Sequence, residues 1–171
     1  MPTEPLTLLR ELVEIESPTY SAGVRRVAAR MAEELATLGG DVRVLDGDHV
    51  VADLEGRGDP LLLLGHTDTV WDEGTLATMP FRTEGGLAFG PGVYDMKGCL
   101  IVMLDAIRRA APNRRALRVF LTADEEQGSR TAREAIGEAA AGTVAAFVVE
   151  PPTNHGHLKT SRKGLKAGPN A

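Results

Sequence analysis

Four consecutive leucines, Leu61 to Leu64, constrain the fold of this chain more than any other feature. They follow the turn-forming Gly58-Asp59-Pro60 and end at Gly65-His66-Thr67-Asp68. A short unbroken apolar run with such borders predicts a strand buried on both faces, the kind found inside α/β sheets. Such a strand needs helices to cover it, and the flanking sequence supplies them. Pro5 to Ile15 places Leu6, Leu9, Leu12 and Val13 at helical spacing and is closed by Ser17-Pro18. From Ser21 a longer stripe of Val24, Val27, Ala28, Met31, Leu35 and Leu38 runs to Gly39-Gly40, a left-handed stop.

Val42 and Val44, then Val50, Ala52 and Leu54, alternate with other residues around Asp46-Gly47-Asp48 and predict a strand pair. The segment Trp71 to Gly92 is rich in Gly and Pro and predicts a long loop, with a small hairpin near Gly85-Gly86. A helix follows from about Lys97 to Ala110. Then come a strand at Leu117 to Leu121, a helix at Ser129 to Ala140 and a strand at Ala145 to Val149. Strands alternating with helices imply a three-layer α/β/α domain. No internal repeat or low-complexity segment interrupts it.

With 171 residues, 43% of them apolar, the chain is long enough for one domain with a real core. Its net charge of -5 and pI near 5.4 come from interspersed charges, which argues against nucleic acid or an anionic membrane as partner. The lone Cys99 cannot form an internal disulfide, and Glu4, Glu11, Glu14 and Glu16 crowd a start that lacks a secretory pattern. No apolar stretch approaches the roughly 20 residues a bilayer crossing needs. The expectation is a cytoplasmic protein.

In α/β sheets, functional groups collect just past the carboxyl ends of the strands. Here His66 and Asp68 follow the first central strand, Asp124, Glu125 and Glu126 the second, and Glu150 the third. Asp95 lies in the turn before a helix. So many like charges would repel unless a cation neutralised them, and a mixed imidazole and carboxylate set suits zinc or a related ion. Each residue alone has a plainer use. His66 would serve as a hydrogen-bonded structural histidine, Asp95 as a helix cap, and Glu125 and Glu126 as surface acids at a helix start. Cys99 reads as a small core residue, and Trp71, Phe81 and Phe89 as packing beneath the long loop.

The order of these groups also resembles a known family. Gly65-His66-Thr67-Asp68-Thr69-Val70, the run Gly90 to Gly98, Asp124-Glu125-Glu126 and Glu150-Pro151 are similar to successive signatures of the dizinc exopeptidases and deacylases. That family includes glutamate carboxypeptidases, aminoacylases, acetylornithine deacetylase and succinyl-diaminopimelate desuccinylase. Trp71 to Gly74 with Pro80-Phe81-Arg82 place the glutamate carboxypeptidase branch nearest.

The resemblance implies a zinc-exopeptidase-like catalytic domain that hydrolyses the amide bond of peptides or N-acyl amino acids bearing a free carboxylate. It implies two zinc ions, with cobalt or manganese as substitutes. His66 and Glu150 would ligate one ion, Glu126 the other, and Asp95 would bridge them. Glu125 would be the general base acting on a metal-bridged water, and Asp68 would orient His66. The family's late histidine ligand to the second zinc has no match, since His155 and His157 follow Glu150 too closely. Its inserted domain, which supplies substrate and dimer contacts in the homodimers of the family, is unmatched as well. These gaps imply a partial catalytic domain over residues 1–164, incomplete at the C-terminus, with an irregular tail at 165–171. The competing expectation is an inactive metal-binding fragment.

Overall fold

The computed structural model describes residues 3–111, 113–153 and 155–160, so the tail expected at 165–171 and the boundary at Gly164 lie outside the described residues. Its centre is a five-stranded sheet in the order β1-β2-β6-β3-β7. The strands are β1 (Asp41–Val44), β2 (Val50–Leu54), β3 (Arg57–His66), β6 (Arg115–Thr122) and β7 (Ala145–Val148). β6 and β7 flank β3 and run parallel to it, while β1, β2 and β6 pair antiparallel. The leucine strand therefore lies between two parallel neighbours, as its composition requires.

Alternation along the strands divides the core. Val50, Ala52 and Leu54 of β2 and Leu117, Val119 and Leu121 of β6 face α1 (Pro5–Val13), α2 (Ala22–Thr37) and α3 (Gly98–Ala110). Val51, Leu62 and Phe120 point to the other face, where α4 (Arg133–Ala140) contributes Ala139. Helices on both faces make the three layers. The first face holds the larger cluster, with Leu12, Val13, Val27, Met31, Leu35 and Leu100 all at 2% exposure or less. Each such side chain contributes about 1.5–3 kcal/mol of burial free energy. The edge strand β7 stays open on both faces, with Phe147 on the first 54% exposed and Val148 on the second 58% exposed.

Three boundaries differ from the sequence expectation. β3 begins at Arg57 because Gly58-Asp59-Pro60 does not reverse the chain: Gly58, at φ +65, makes an irregularity in the register between Arg57 and Leu61, and the strand runs on. The last helix starts at Arg133 rather than Ser129. Glu125–Gln127 form a separate 3-10 turn, and Ser129 has φ +49, outside helical space. The first helix stops at Val13, two residues before Ile15, which leaves Ile15 to Thr19 as an irregular segment beside the loops described below. The hairpin near Gly85-Gly86 forms as β4 (Arg82–Glu84) and β5 (Leu87–Phe89). Beneath this loop Phe81 is buried, whereas Trp71 is 40% exposed and does not pack there as expected.

Candidate metal centre

Strand register brings the charged groups together. His66 pairs with Thr122 across the β3–β6 ladder, and Leu64 pairs with Val148 across the β3–β7 ladder. The turn after β6 thus carries Glu125 and Glu126, and the segment after β7 carries Glu150, to the same end of the sheet as His66. Asp95 arrives from the irregular helical turn Val93–Lys97 that precedes α3. That turn fits against β3 because position 65 is glycine. A Cβ there would stand 2.9 Å from Met96 Cε, and the backbone N–H of His66 reaches Met96 Sδ at 3.0 Å. Gly92, at φ +72, supplies the left-handed entry to the turn, and a Cβ on it would lie 2.8 Å from Thr69 Cγ2.

His66 is the hub. Its Nδ1 lies 2.9 Å from the Asp68 carbonyl oxygen and 3.2 Å from Asp68 Oδ1. Both are acceptors, so Nδ1 carries the hydrogen and donates it. In the neutral ring the lone pair then sits on Nε2, which faces Asp95 Oδ1 at 3.3 Å, Glu150 Oε1 at 3.6 Å and Glu125 Oε2 at 4.0 Å. A lone pair aimed at three carboxylates is stable only with a positive charge between them, either a proton or a metal ion. Two sets of candidate ligand atoms lie within 4.8 Å of one another: His66 with Glu125 and Glu150, and His66 with Asp95 and Glu126. Their chemistry, one imidazole nitrogen and carboxylate oxygens, fits zinc or a similar divalent ion.

The protonation states report the same demand for positive charge. Burial alone would lower the His66 pKa, but the Asp68 hydrogen bond and the charges of Asp68, Glu150 and Glu125 outweigh it and raise the value to about 9. Glu126 is raised to about 7, first by burial and then by Asp95, Glu125 and Asp68. Glu150 is also raised, by burial and by Asp95. Asp68 moves the other way. Burial opposes its ionisation, but hydrogen bonds from His66 and Thr19 and the His66 charge hold it below the ordinary aspartate value.

Supporting groups absent from the sequence reading surround this hub. The Asp68 carboxylate accepts the backbone N–H of Glu125 at 3.2 Å and of Glu126 at 3.1 Å, so the residue that orients His66 also holds the Glu125–Glu126 turn. Thr19 Oγ1 donates to Asp68 Oδ2 at 2.7 Å, and Ser17 Oγ donates to the Thr67 carbonyl at 3.0 Å. Lys97, 2% exposed, donates from Nζ to the Ile15 carbonyl at 2.8 Å. Burial lowers its pKa to about 8, against the pull of Glu16. Glu16 in turn accepts the N–H groups of Gly74 and Leu76, both at 2.8 Å. Residues 15–19 thereby tie together the His66 loop, the Asp95 turn and the long loop. Ser17-Pro18 could have flagged this segment only as a helix stop. His155 and His157 belong to neither ligand set. Cys99 packs half-buried against the core, as expected.

An α/β/α sheet that gathers an imidazole and carboxylates at one end of its parallel strands presents a candidate metal centre. The sequence profile of peptidase family M20/M25/M40 matches residues 62–163, and the chain belongs to that family. It is 36% identical over 166 residues to carboxypeptidase G2 of Pseudomonas sp. (strain RS-16), covering 90% of this chain and 40% of that enzyme. It is 47% identical over 77 residues to acetylornithine deacetylase of Pectobacterium carotovorum subsp. carotovorum (strain PC1), covering 42% of this chain and 20% of the deacetylase. Among solved structures, the M20 family metallo-carboxypeptidase Sso-CP2 from Sulfolobus solfataricus superposes with a TM-score of 0.72 at 18% identity, over 85% of this chain and 37% of that one. The fold is thus that of the M20 catalytic domain. The chain spans about two fifths of carboxypeptidase G2. No helix among the described residues is long and apolar enough to cross a membrane.

Proposed function

We propose that this chain carries the core of a zinc-dependent amidohydrolase site that acts on peptides or N-acyl amino acids with a free carboxylate. The observation that carries the reading is the His66 Nε2 lone pair facing Asp95, Glu150 and Glu125 within 4.0 Å. His66, Asp95 and Glu150 would hold one ion, and Asp95 and Glu126 a second. Bound zinc would supply the Lewis-acid charge that polarises an amide carbonyl and acidifies water. Glu125 acts as the general base, taking a proton from the attacking water and delivering it to the leaving amine. Asp68 keeps the His66 hydrogen on Nδ1 and fixes the turn behind Glu125. The family resemblance and the identity with carboxypeptidase G2 support a carboxypeptidase-like substrate. Residues 1–164 would form the catalytic portion of a cytoplasmic enzyme.

A second reading, a metal-binding chain without turnover, is favoured by one feature: among the described residues, both ligand sets rely on the same imidazole, His66. The deciding experiment measures zinc content per chain together with hydrolysis of N-acyl amino acids and C-terminal glutamate amides. Two zinc ions with turnover support the first reading, and Glu125→Gln should then lower kcat by about 10²- to 10⁴-fold while zinc stays bound. One zinc ion without turnover supports the second. A chain that binds no zinc sinks both.

A further inference from the structure

We propose that His49, Thr131 and Asp124 are positioning residues that lock the Glu125–Glu126 turn from the side opposite Asp68. The inference rests on the reading above for what the two carboxylates do, but not for the lock itself.

The three residues lie in separate elements, on the hairpin before β2, in the turn before α4 and at the end of β6, and the hydrogen bonds between them have a determined direction. The backbone N–H of Ala123 points at His49 Nδ1, 3.0 Å away. A ring nitrogen that accepts carries no hydrogen, so the neutral ring has its hydrogen on Nε2 and gives it to Thr131 Oγ1 at 3.1 Å. Thr131 spends its own hydroxyl hydrogen on Asp124 Oδ2 at 2.9 Å, and its backbone N–H reaches the same oxygen at 2.7 Å. Every donor has one acceptor, and the series runs His49 to Thr131 to Asp124 without conflict.

His49 and Asp124 are each 1% exposed, and His49 stacks on Phe120 with ring centroids 6.2 Å apart. Burial keeps the His49 pKa below its ordinary value despite the nearby charges of Asp124, Asp48 and Asp68, which agrees with the neutral ring that the geometry requires. The backbone N–H groups of residues 123, 125 and 126 are thus all held by side chains, the first by His49 and the other two by Asp68. Backbone bonds of the 3-10 turn hold only the N–H groups of Gln127, Gly128 and Ser129. Two side-chain clamps hold the N–H groups before them, and Asp124, joined to both Thr131 donors, is the residue immediately before Glu125.

Thr131 is the place to cut the series, because it lies at the surface and Thr131→Val keeps its shape while removing only the hydroxyl. In the full chain without metal, Thr131→Val should speed amide hydrogen exchange at residues 123, 125 and 126 by about tenfold, the factor set by losing a hydrogen bond of ordinary strength. Amides of α2 and β2 should not change. Zinc affinity by titration calorimetry should fall by about tenfold, at the lower end of what supporting partners contribute. Thr131→Ser, which restores the hydroxyl, should match the wild-type chain in both measurements. Unchanged exchange in the turn, or acceleration spread evenly over the molecule, overturns the lock. A loosened turn with unaltered zinc affinity overturns the positioning of Glu126. If the wild-type chain binds no zinc, the metal reading fails on that result, and the exchange rates alone decide the lock.

Discussion

The imidazole side of the site and its carboxylate side are built on opposite terms. His66 and Asp68 are each 1% exposed, fixed at the end of a central strand and joined through Nδ1. Asp95 and Glu125 are carried by turns, with side chains 53% and 44% exposed, and Glu150 is intermediate at 22%. One half is rigid and preorganised, and the other reaches the hub from loops held by tertiary hydrogen bonds. A charge cluster can tolerate this division because the buried member is the one whose orientation would determine where an ion sits. The carboxylates can each adjust, but the imidazole lone pair has one direction.

If this comparison is right, damage to the buried half should cost most. His66→Ala should abolish measurable zinc binding, a larger loss than the about 10- to 100-fold typical of supporting partners. Asp68→Asn should fall within that range, since an amide places N–H groups against the donors of Thr19, Glu125 and Glu126 or leaves one of them unmatched. Titration calorimetry checks both, and an Asp68→Asn chain with wild-type affinity would break the comparison. On the exposed side, Glu126→Gln should weaken zinc binding by about tenfold or less. A larger effect than that of Asp68→Asn would reverse the ranking.

The smallest expected effect is on stability against pH. His66 keeps its proton to about pH 9 when folded, against 6.5 for the ordinary residue. Its contribution is therefore complete below about pH 6.5 and is lost as pH rises through 9. Glu126, raised to about 7 from 4.5, has the same sign over the lower part of that range, because the folded chain again binds the extra proton. The lowered pKa of His49 acts in the opposite sense only below about 6.5, and that of Lys97 only above about 8. The melting temperature of the metal-free chain should therefore fall between about pH 6.5 and 8. His66→Gln should flatten the slope, and saturating zinc should reverse it. A rising slope in the metal-free wild-type chain would mean that the carboxylates do not face His66 in solution.

Most of the fold could be read from residue periodicity. The stripe in α2 and the hairpin at Gly85-Gly86 depend on local spacing alone, so sequence identifies them. Ser129 lies outside the helix that its sequence predicts, because its positive φ answers to the turn it closes, where its N–H bonds back to the Asp124 carbonyl at 2.8 Å. At the site, the candidate ligand residues are legible because strand ends concentrate function. The supports are not. Thr19 and Asp68 are separated by 49 residues, and His49 and Thr131 by 82. Threonine and histidine at such positions have nothing in their neighbourhood to distinguish them from surface or core residues.

The sequence by itself determined which strands lie inside, which residues could hold a cation and the family to which the chain belongs, because each follows from local pattern or from motifs in order. Only the tertiary structure decided how those residues meet. The parallel pairing of β3 with β6 and β7 sets the register that brings Glu125, Glu126 and Glu150 beside His66. Side chains distant in sequence then settle which imidazole nitrogen carries hydrogen. The physical reason is that hydrogen-bond direction and charge depend on distances of a few ångströms, and only the folded chain sets those distances.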